Sequence, residues 1–172
     1  MGAPSLAVDT GKSRHTLPNT RCFVAQRYRV REKGDEMIDQ AAGPYGVLLL
    51  RLCLGVMFIA HAMLKVRVFT IPGTIAFFQS LGLPGWLAYV TIAAELIGAA
   101  CLILGIYPRY VALLMVPLIL GTIVTVHGKK GWLFSNTDGG WEYPAFWAAA
   151  LVAVFLLGDG AATLVASPYL GF

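Results

Sequence analysis

Charge is what this chain has least of. Only 13% of its 172 residues are Asp, Glu, Lys or Arg, against about one-quarter in an ordinary soluble domain. That scarcity excludes a conventional water-soluble fold of this length. Cysteine is sparse too. Cys22, Cys53 and Cys101 form no pair at zinc or thioredoxin-type spacing, so a thiol-ligated metal and a CxxC redox centre are excluded. No HxxxH or ExxH lies near a histidine to build a metal or haem site. No motif for a flavin, an iron–sulfur centre or a dinucleotide occurs, so any electrons handled here come from another chain. The N-terminus lacks an apolar core followed by a small-residue cleavage site, and is not expected to be a secretory signal.

Hydrophobic residues make up 58% of the chain. They gather in four stretches, roughly Tyr45–Leu64, Trp86–Tyr107, Arg109–His127 and Pro144–Val165. About 20 residues at 1.5 Å each cross about 30 Å of hydrocarbon; each stretch meets that length and none is long enough for two crossings. The expected fold is all-α: an integral membrane four-helix bundle spanning residues 41–166, with a basic, disordered tail at residues 1–40 and a short C-terminal tail at 167–172. Translation starting at Met37 is an alternative that removes most of the first tail. The second and third stretches are joined by only Tyr107-Pro108-Arg109, a tight turn between antiparallel neighbours. The other two links, residues 66–85 and 128–143, are longer and fall on the same side. Thr74 is expected to cap a short helix in the first of them. Pro117 predicts a kink in the third span, and Pro144 suits the first turn of the fourth.

Basic-residue bias sets orientation. Lys12, Arg14, Arg21, Arg27, Arg29, Arg31 and Lys33 precede the first span, and Arg109 shares their side. Lys65, Arg67, Lys129 and Lys130 occupy the loop side. The expectation is cytoplasmic termini, with the bias reversed if the chain starts at Met37. The basic tail is membrane-adjacent. No base-stacking platform or groove-reading helix follows it, so nucleic acid is not an expected partner; the lipid bilayer is.

Glu95 is the sole charge between Trp86 and Tyr107. A lone carboxylate in hydrocarbon is costly, so it must face protein or water. Arg51, His61 and His127 are the other ionisable residues in or bordering the spans. On 1.5 Å per residue, Glu95 lies roughly 5 Å in depth from His61 and roughly 10 Å from Arg51. Arg51, Gly55, Phe58, Ala62 and Lys65 form one stripe at helical spacing, with His61 about 80° away. Gly98 and Gly105 share Glu95's face and let a partner helix come close. A structural reading pairs Arg51 with Glu95 inside the bundle and bonds His61 and His127 to nearby carbonyls. A functional reading makes a proton or ligand site of them, since intramembrane ionisable residues are functional candidates by default. A metal or haem on the two histidines is disfavoured. Glu142 sits where a helix N-terminus favours an anion. Trp86, Trp132, Trp141 and Tyr143 suit an interfacial belt. By angle, Cys53 lies roughly 160° from Arg51 and Cys101 roughly 120° from Glu95; both are expected to be buried, inert thiols pointing away from the polar face.

The run from Arg51 through Gly55, Phe58 and His61 to Lys65 resembles the opening motif of the DoxX family. Phe77-Phe78 with Leu81-Gly-Leu-Pro84 resembles that family's first long link, and Glu95-Leu-Ile-Gly98 with Leu104-Gly105 its second helix. His127, Asn136, Gly140, Glu142 and Tyr143 resemble the segment between its third and fourth helices. The resemblance covers about residues 45–160. It departs at Ala62, where many relatives have Gly, and at Arg67, where an apolar residue is usual. It implies a four-helix protein of the bacterial inner membrane. Some relatives are small subunits of thiosulfate:quinone oxidoreductase, and others associate with soluble redox-defence proteins.

The candidate binding residues are Arg51, His61, Lys65, Glu95, His127, Asn136, Glu142 and Tyr143, with Glu95, His61 and His127 the candidates for proton chemistry. The leading reading is a membrane subunit or partner of an oxidoreductase, touching quinone or a soluble redox protein. A quinone carbonyl needs a donor and its reduction a proton source, which His and Glu beside a hydrophobic cleft supply. The competing readings are a small proton-coupled transporter, with Glu95 as its midplane residue, and a scaffold that docks soluble partners without chemistry. No inverted repeat or paired broken helices favour transport.

Overall fold

The computed structural model describes residues 40–137 and 139–168. The basic segment before Gln40, Asp138 and residues 169–172 lie outside the described residues, and with them the expectations of a disordered tail and of a start at Met37.

Pro44 sits in the first turn of helix α1, Gly43–Met63, where its missing N–H costs nothing. α1 runs on through a π-helical turn, Leu64–Val68. A short helix α2, Ile71–Ser80, follows with Pro72 in its first turn. Its cap is Thr70, whose Oγ1 accepts the Gly73 N–H at 3.4 Å. Thr74, the expected cap, lies inside the helix with its hydroxyl 2.9 Å from the carbonyls of both Lys65 and Thr70. That geometry ties α2 to the end of α1.

Helix α3, Leu87–Leu104, ends on Gly105 at φ 72, the left-handed conformation glycine adopts without strain. Three residues later Pro108 opens α4, Pro108–Thr122, which continues through a second π-helical turn, Ile123–His127, and a 3-10 turn, Gly128–Lys130. Helix α5 spans Glu142–Leu157. Among the described residues no strand forms; an isolated parallel bridge joins Ile106 and Val165.

Three of these segments, Gly43–Val68, Leu87–Leu104 and Pro108–Lys130, are long and apolar enough to cross a membrane. α5 is apolar but only 16 residues long, about 24 Å. The fourth span therefore does not reach Val165 as expected. Gly158, at φ 100, breaks the helix, and Gly160 and Ala162 also take positive φ. The chain then turns across the end of the bundle. Ala161 donates to the Pro44 carbonyl (2.9 Å), Tyr107 to Val165 (2.9 Å) and Val165 to Gly105 (3.0 Å).

α1 packs on α3, α3 on α4, α4 on α5 and α5 back on α1, with α2 against α3. Antiparallel succession puts the α1–α3 and α4–α5 links at one end and the two ends of the bundle chain at the other. The predicted α1 stripe is the buried one: Arg51, Gly55, Phe58 and Ala62 all face inward. Cys53 is exposed and Cys101 half-buried. Both point away from the polar face, yet pointing away from the interior of a bundle this thin means facing outward, not being buried.

Two glycines set helix spacing. A Cβ on Gly55 would lie 2.5 Å from Ile103 Cγ1 and 3.2 Å from the Ala99 carbonyl oxygen. On Gly98 it would meet Met115 Sδ at 2.7 Å. A thioether can swing aside, whereas a helix backbone cannot. Gly55→Ala should therefore lower stability by about 1–3 kcal/mol through overpacking, while Gly98→Ala should stay within about 1 kcal/mol of the parent, helped by better helix propensity. Thermal unfolding in lipid nanodiscs compares the two, and the reverse ranking would contradict this packing.

Candidate functional site

Polar chemistry concentrates at the two ends of the bundle, and each end has its own charged residue. At the loop end, Lys65 Nζ lies 2.6 Å from Glu95 Oε1. The Glu95 side chain is only 3% exposed and that of Lys65 15%. Glu95 Oε2 is also buried, and it has no partner among the described residues. Lys65 sits in the π-helical turn that ends α1. One extra residue per turn there changes which way the last side chains project, and such turns recur at functional sites. The carbonyl of Lys65 is held by Thr74 at the same time, so the lysine backbone is fixed from below.

Four residues earlier on α1, one helical turn back, stands His61. Its Nδ1 lies 3.1 Å from the Met57 carbonyl oxygen. A carbonyl only accepts, so Nδ1 carries the proton and Nε2 is left as an acceptor. The imidazole meets the Trp147 ring edge-on, centroids 4.7 Å apart. Trp147 is 3% exposed, and its indole Nε1 has no partner among the described residues. Lys65, Glu95, His61 and Trp147 thus gather three helices around the last two turns of α1.

His127 ends the second π-helical turn, at the same end of the bundle. Its Nδ1 is 3.0 Å from the Gly139 carbonyl, and its Nε2 2.7 Å from the Tyr143 hydroxyl. Both histidines therefore bond to carbonyls, as the structural reading expected. Glu142 opens α5, in the first turn where a helix N-terminus favours an anion. Asn136 holds the loop: its Nδ2 donates to the Lys130 carbonyl at 2.8 Å. Gly140 is pressed against the carbonyls of Gly131, Trp132 and Leu133, where no side chain fits. This fold of the loop seats Trp132 edge-on against Trp141, centroids 4.4 Å apart. Among the described residues no group of three or more His, Cys, Asp or Glu is placed to hold a metal ion.

The expected Arg51–Glu95 pair does not form. Arg51 is fully buried at the other end. Its Nε donates to the Leu102 carbonyl at 3.0 Å, in the last turn of α3, where the helix dipole favours a cation. Nη1 donates to the carbonyls of Asp159 and of Ala161 (3.1 Å), and Nη2 to that of Ala162 (3.4 Å). Leu102 is seven residues along α3 from Glu95, roughly 10 Å away, and Arg51 extends toward Leu102. Lys65, about 21 Å further along α1, reaches the carboxylate instead. Gly105 likewise serves this end and not Glu95's face: a Cβ there would lie 2.6 Å from Arg51 Nη2. Asp159 completes the arrangement, accepting the backbone N–H of Arg109 (3.4 Å) at the start of α4 and of Ser167 (2.6 Å).

Trp147 and Asp159 are the site residues that sequence reasoning missed. Trp147 carries an N–H in the middle of an apolar helix, which was a legible signal. Asp159 lies in a Gly-Asp-Gly stop that the surrounding hydropathy concealed.

Residues 46–128 match the family model DoxX. The match stops short of the loop that holds Asn136 and of helix α5, which holds Glu142 and Tyr143. Over 84 residues the chain is 42% identical to a Bacillus subtilis (strain 168) protein named "Putative oxidoreductase CatD". That alignment takes in 49% of this chain and 61% of the relative's length. No solved structure matches the chain.

Breaking the buried pair from one side should cost more than removing it whole. Lys65→Met should destabilise by about 3–5 kcal/mol, and Lys65→Met with Glu95→Leu should recover most of that. Arg51→Met and Glu95→Leu should add without coupling, to within about 0.5 kcal/mol. A double-mutant cycle from thermal unfolding in nanodiscs reads both, and strong Arg51–Glu95 coupling would contradict the geometry.

Proposed function

We propose that this chain, with its DoxX region at residues 46–128, is a small membrane subunit or partner of an oxidoreductase in a bacterial inner membrane, and that its Lys65–Glu95 end handles a quinone. The observation that carries the reading is the buried ion pair whose second carboxylate oxygen has no partner among the described residues. Lys65 has three N–H donors and gives one to Glu95. Lys65 therefore keeps donors to spare, on a carboxylate whose Oε2 is buried and without a partner among the described residues. That donor set fits a quinone head, whose carbonyl accepts a hydrogen bond and whose reduced hydroxyl donates one.

A bound quinone supplies reversible two-electron, two-proton chemistry. The protein's own part is narrower. Lys65 orients a carbonyl oxygen and stabilises negative charge developing on it. Glu95 holds or passes a proton beside it, and His61, with Nε2 available one turn away, links that proton toward the loop face. The chain has no motif for a redox group of its own, so a soluble redox protein brings the electrons. The name of the Bacillus subtilis relative, an oxidoreductase, supports this class of function.

The seven basic residues ahead of α1, from Lys12 to Lys33, together with Arg109, favour cytoplasmic termini and long loops outside. A C-terminal reporter that works only in the cytoplasm should be active; an inactive one would invert the topology. For the chemistry, Glu95→Gln keeps the shape of the carboxylate and removes its proton exchange. In native membranes it should lower quinone-dependent electron transfer by about a hundredfold, with His61→Ala also impaired. Parental rates in both variants, at normal protein levels, would leave a scaffold in place of a redox subunit.

A further inference from the structure

The two histidines at the loop end are held in different ways. His127 is bonded at both ring nitrogens, to the Gly139 carbonyl and the Tyr143 hydroxyl. At His61 only Nδ1 is bonded among the described residues, to the Met57 carbonyl one turn back on α1. The torsion that turns a histidine ring is broad and roughly two-fold. One bond at its rim leaves the plane of the ring loose, and a second constraint is needed to fix it.

Trp147 of α5 supplies that constraint. Its ring stands 4.7 Å from the imidazole, centroid to centroid, with 65° between the planes. Ring quadrupoles favour this edge-to-face geometry, and tilting the imidazole out of it loses the contact. Trp147 is itself well held. It is 3% exposed, and the fully buried Phe58 packs against it with centroids 4.6 Å apart. Phe58 and His61 are three residues apart on α1 and share a face, so the indole is braced by one and bears on the other. Its N–H has no partner among the described residues; the ring, and not a hydrogen bond, makes the contact with His61.

The two contacts on His61 fix different things. The indole sets the plane of the imidazole. The Met57 carbonyl chooses between the two orientations that share this plane, because a half-turn would put Cδ2 where Nδ1 stands and break the bond. A carbonyl only accepts, so Nδ1 keeps its hydrogen, and Nε2 is the nitrogen that can gain or lose one.

We infer that Trp147 is a positioning residue for His61. Together with the Met57 carbonyl it confines the imidazole to one orientation and one tautomer, and so makes Nε2 the atom through which His61 takes up and gives back a proton. The N–H bond made there is the bond broken when the proton leaves. This role rests on the reading of His61 as a proton carrier for the Lys65–Glu95 end.

The test is solid-state NMR of full-length protein in lipid bilayers, with ¹⁵N at both histidine ring nitrogens, at an alkaline pH where the ring is neutral. His61→Ala assigns the signals. The parent should show His61 in the Nδ1–H form alone, with a rigid ring. Trp147→Phe keeps an aromatic wall and should match the parent. Trp147→Leu removes the wall, and the Nε2–H form should then appear beside the first, with a mobile ring. In native membranes, Trp147→Leu should also lower quinone-dependent electron transfer about tenfold at normal protein levels, and Trp147→Phe should leave it unchanged. Both tautomers in the parent would overturn the inference even if a variant fails to fold. So would a single rigid tautomer in Trp147→Leu, or its loss in Trp147→Phe. A ring released in Trp147→Leu with parental electron transfer would instead overturn the reading of His61 as a proton carrier.

Discussion

A single buried contact, Lys65 against Glu95 at 2.6 Å, is the constraint around which the loop end of this bundle is built. An acid in the middle of an apolar helix cannot face hydrocarbon without a large cost, so a cation must come to it. Several otherwise unrelated features serve that requirement. The π-helical turn Leu64–Val68 carries Lys65 past the regular end of α1. Thr74 holds the lysine carbonyl and ties α2 beneath it. Gly98, one turn from Glu95, accommodates Met115 of α4 and closes the bundle beside the acid. The pair leaves one carboxylate oxygen without a partner among the described residues.

The opposite end solves a different problem with a different cation. Arg51 is as buried as Glu95 but has backbone carbonyls around it, not a carboxylate within bonding distance. It joins the last turn of α3 to the segment after α5, and Asp159 of that segment meets the start of α4. The guanidinium's planar fork suits this, because several carbonyls from one folded strap can be met at once. Arg51 closes the bundle at one end, and Glu95 is held in a buried ion pair toward the other.

Much of this was legible in the sequence. Helical spacing alone placed Arg51, Gly55, Phe58 and Ala62 on the inward face of α1, and the lone Glu95 announced a sheltered carboxylate. Hydropathy located the spans, and the two long links fell on one side by simple alternation. Pairing was not legible, because it depends on rotamers and on π-helical turns, and a 3.6-residue wheel cannot foresee the register those turns shift. The end of α5 was hidden because Ala161–Val165 reads as apolar, although Gly158-Asp159-Gly160 marks the break. Cys53 was misjudged because in a thin bundle an apolar position facing away from the polar centre is exposed to lipid. Thr74 was read as a cap because its spacing fits one; Thr70, before Pro72, holds that place.

Residues 46–128 match the DoxX family model, and the Lys65–Glu95 contact is the geometric core of the bundle's loop end. Its most direct test is solid-state NMR in lipid bilayers on protein carrying ¹⁵N at the lysine ammonium and ¹³C at the glutamate carboxyl, with Lys65→Met as the assignment control. The account predicts a dipolar contact between Lys65 Nζ and Glu95 Cδ at hydrogen-bonding range that vanishes in the control. Absence of that contact, or a Glu95 carboxyl that instead shows proximity to lipid acyl chains, would contradict it.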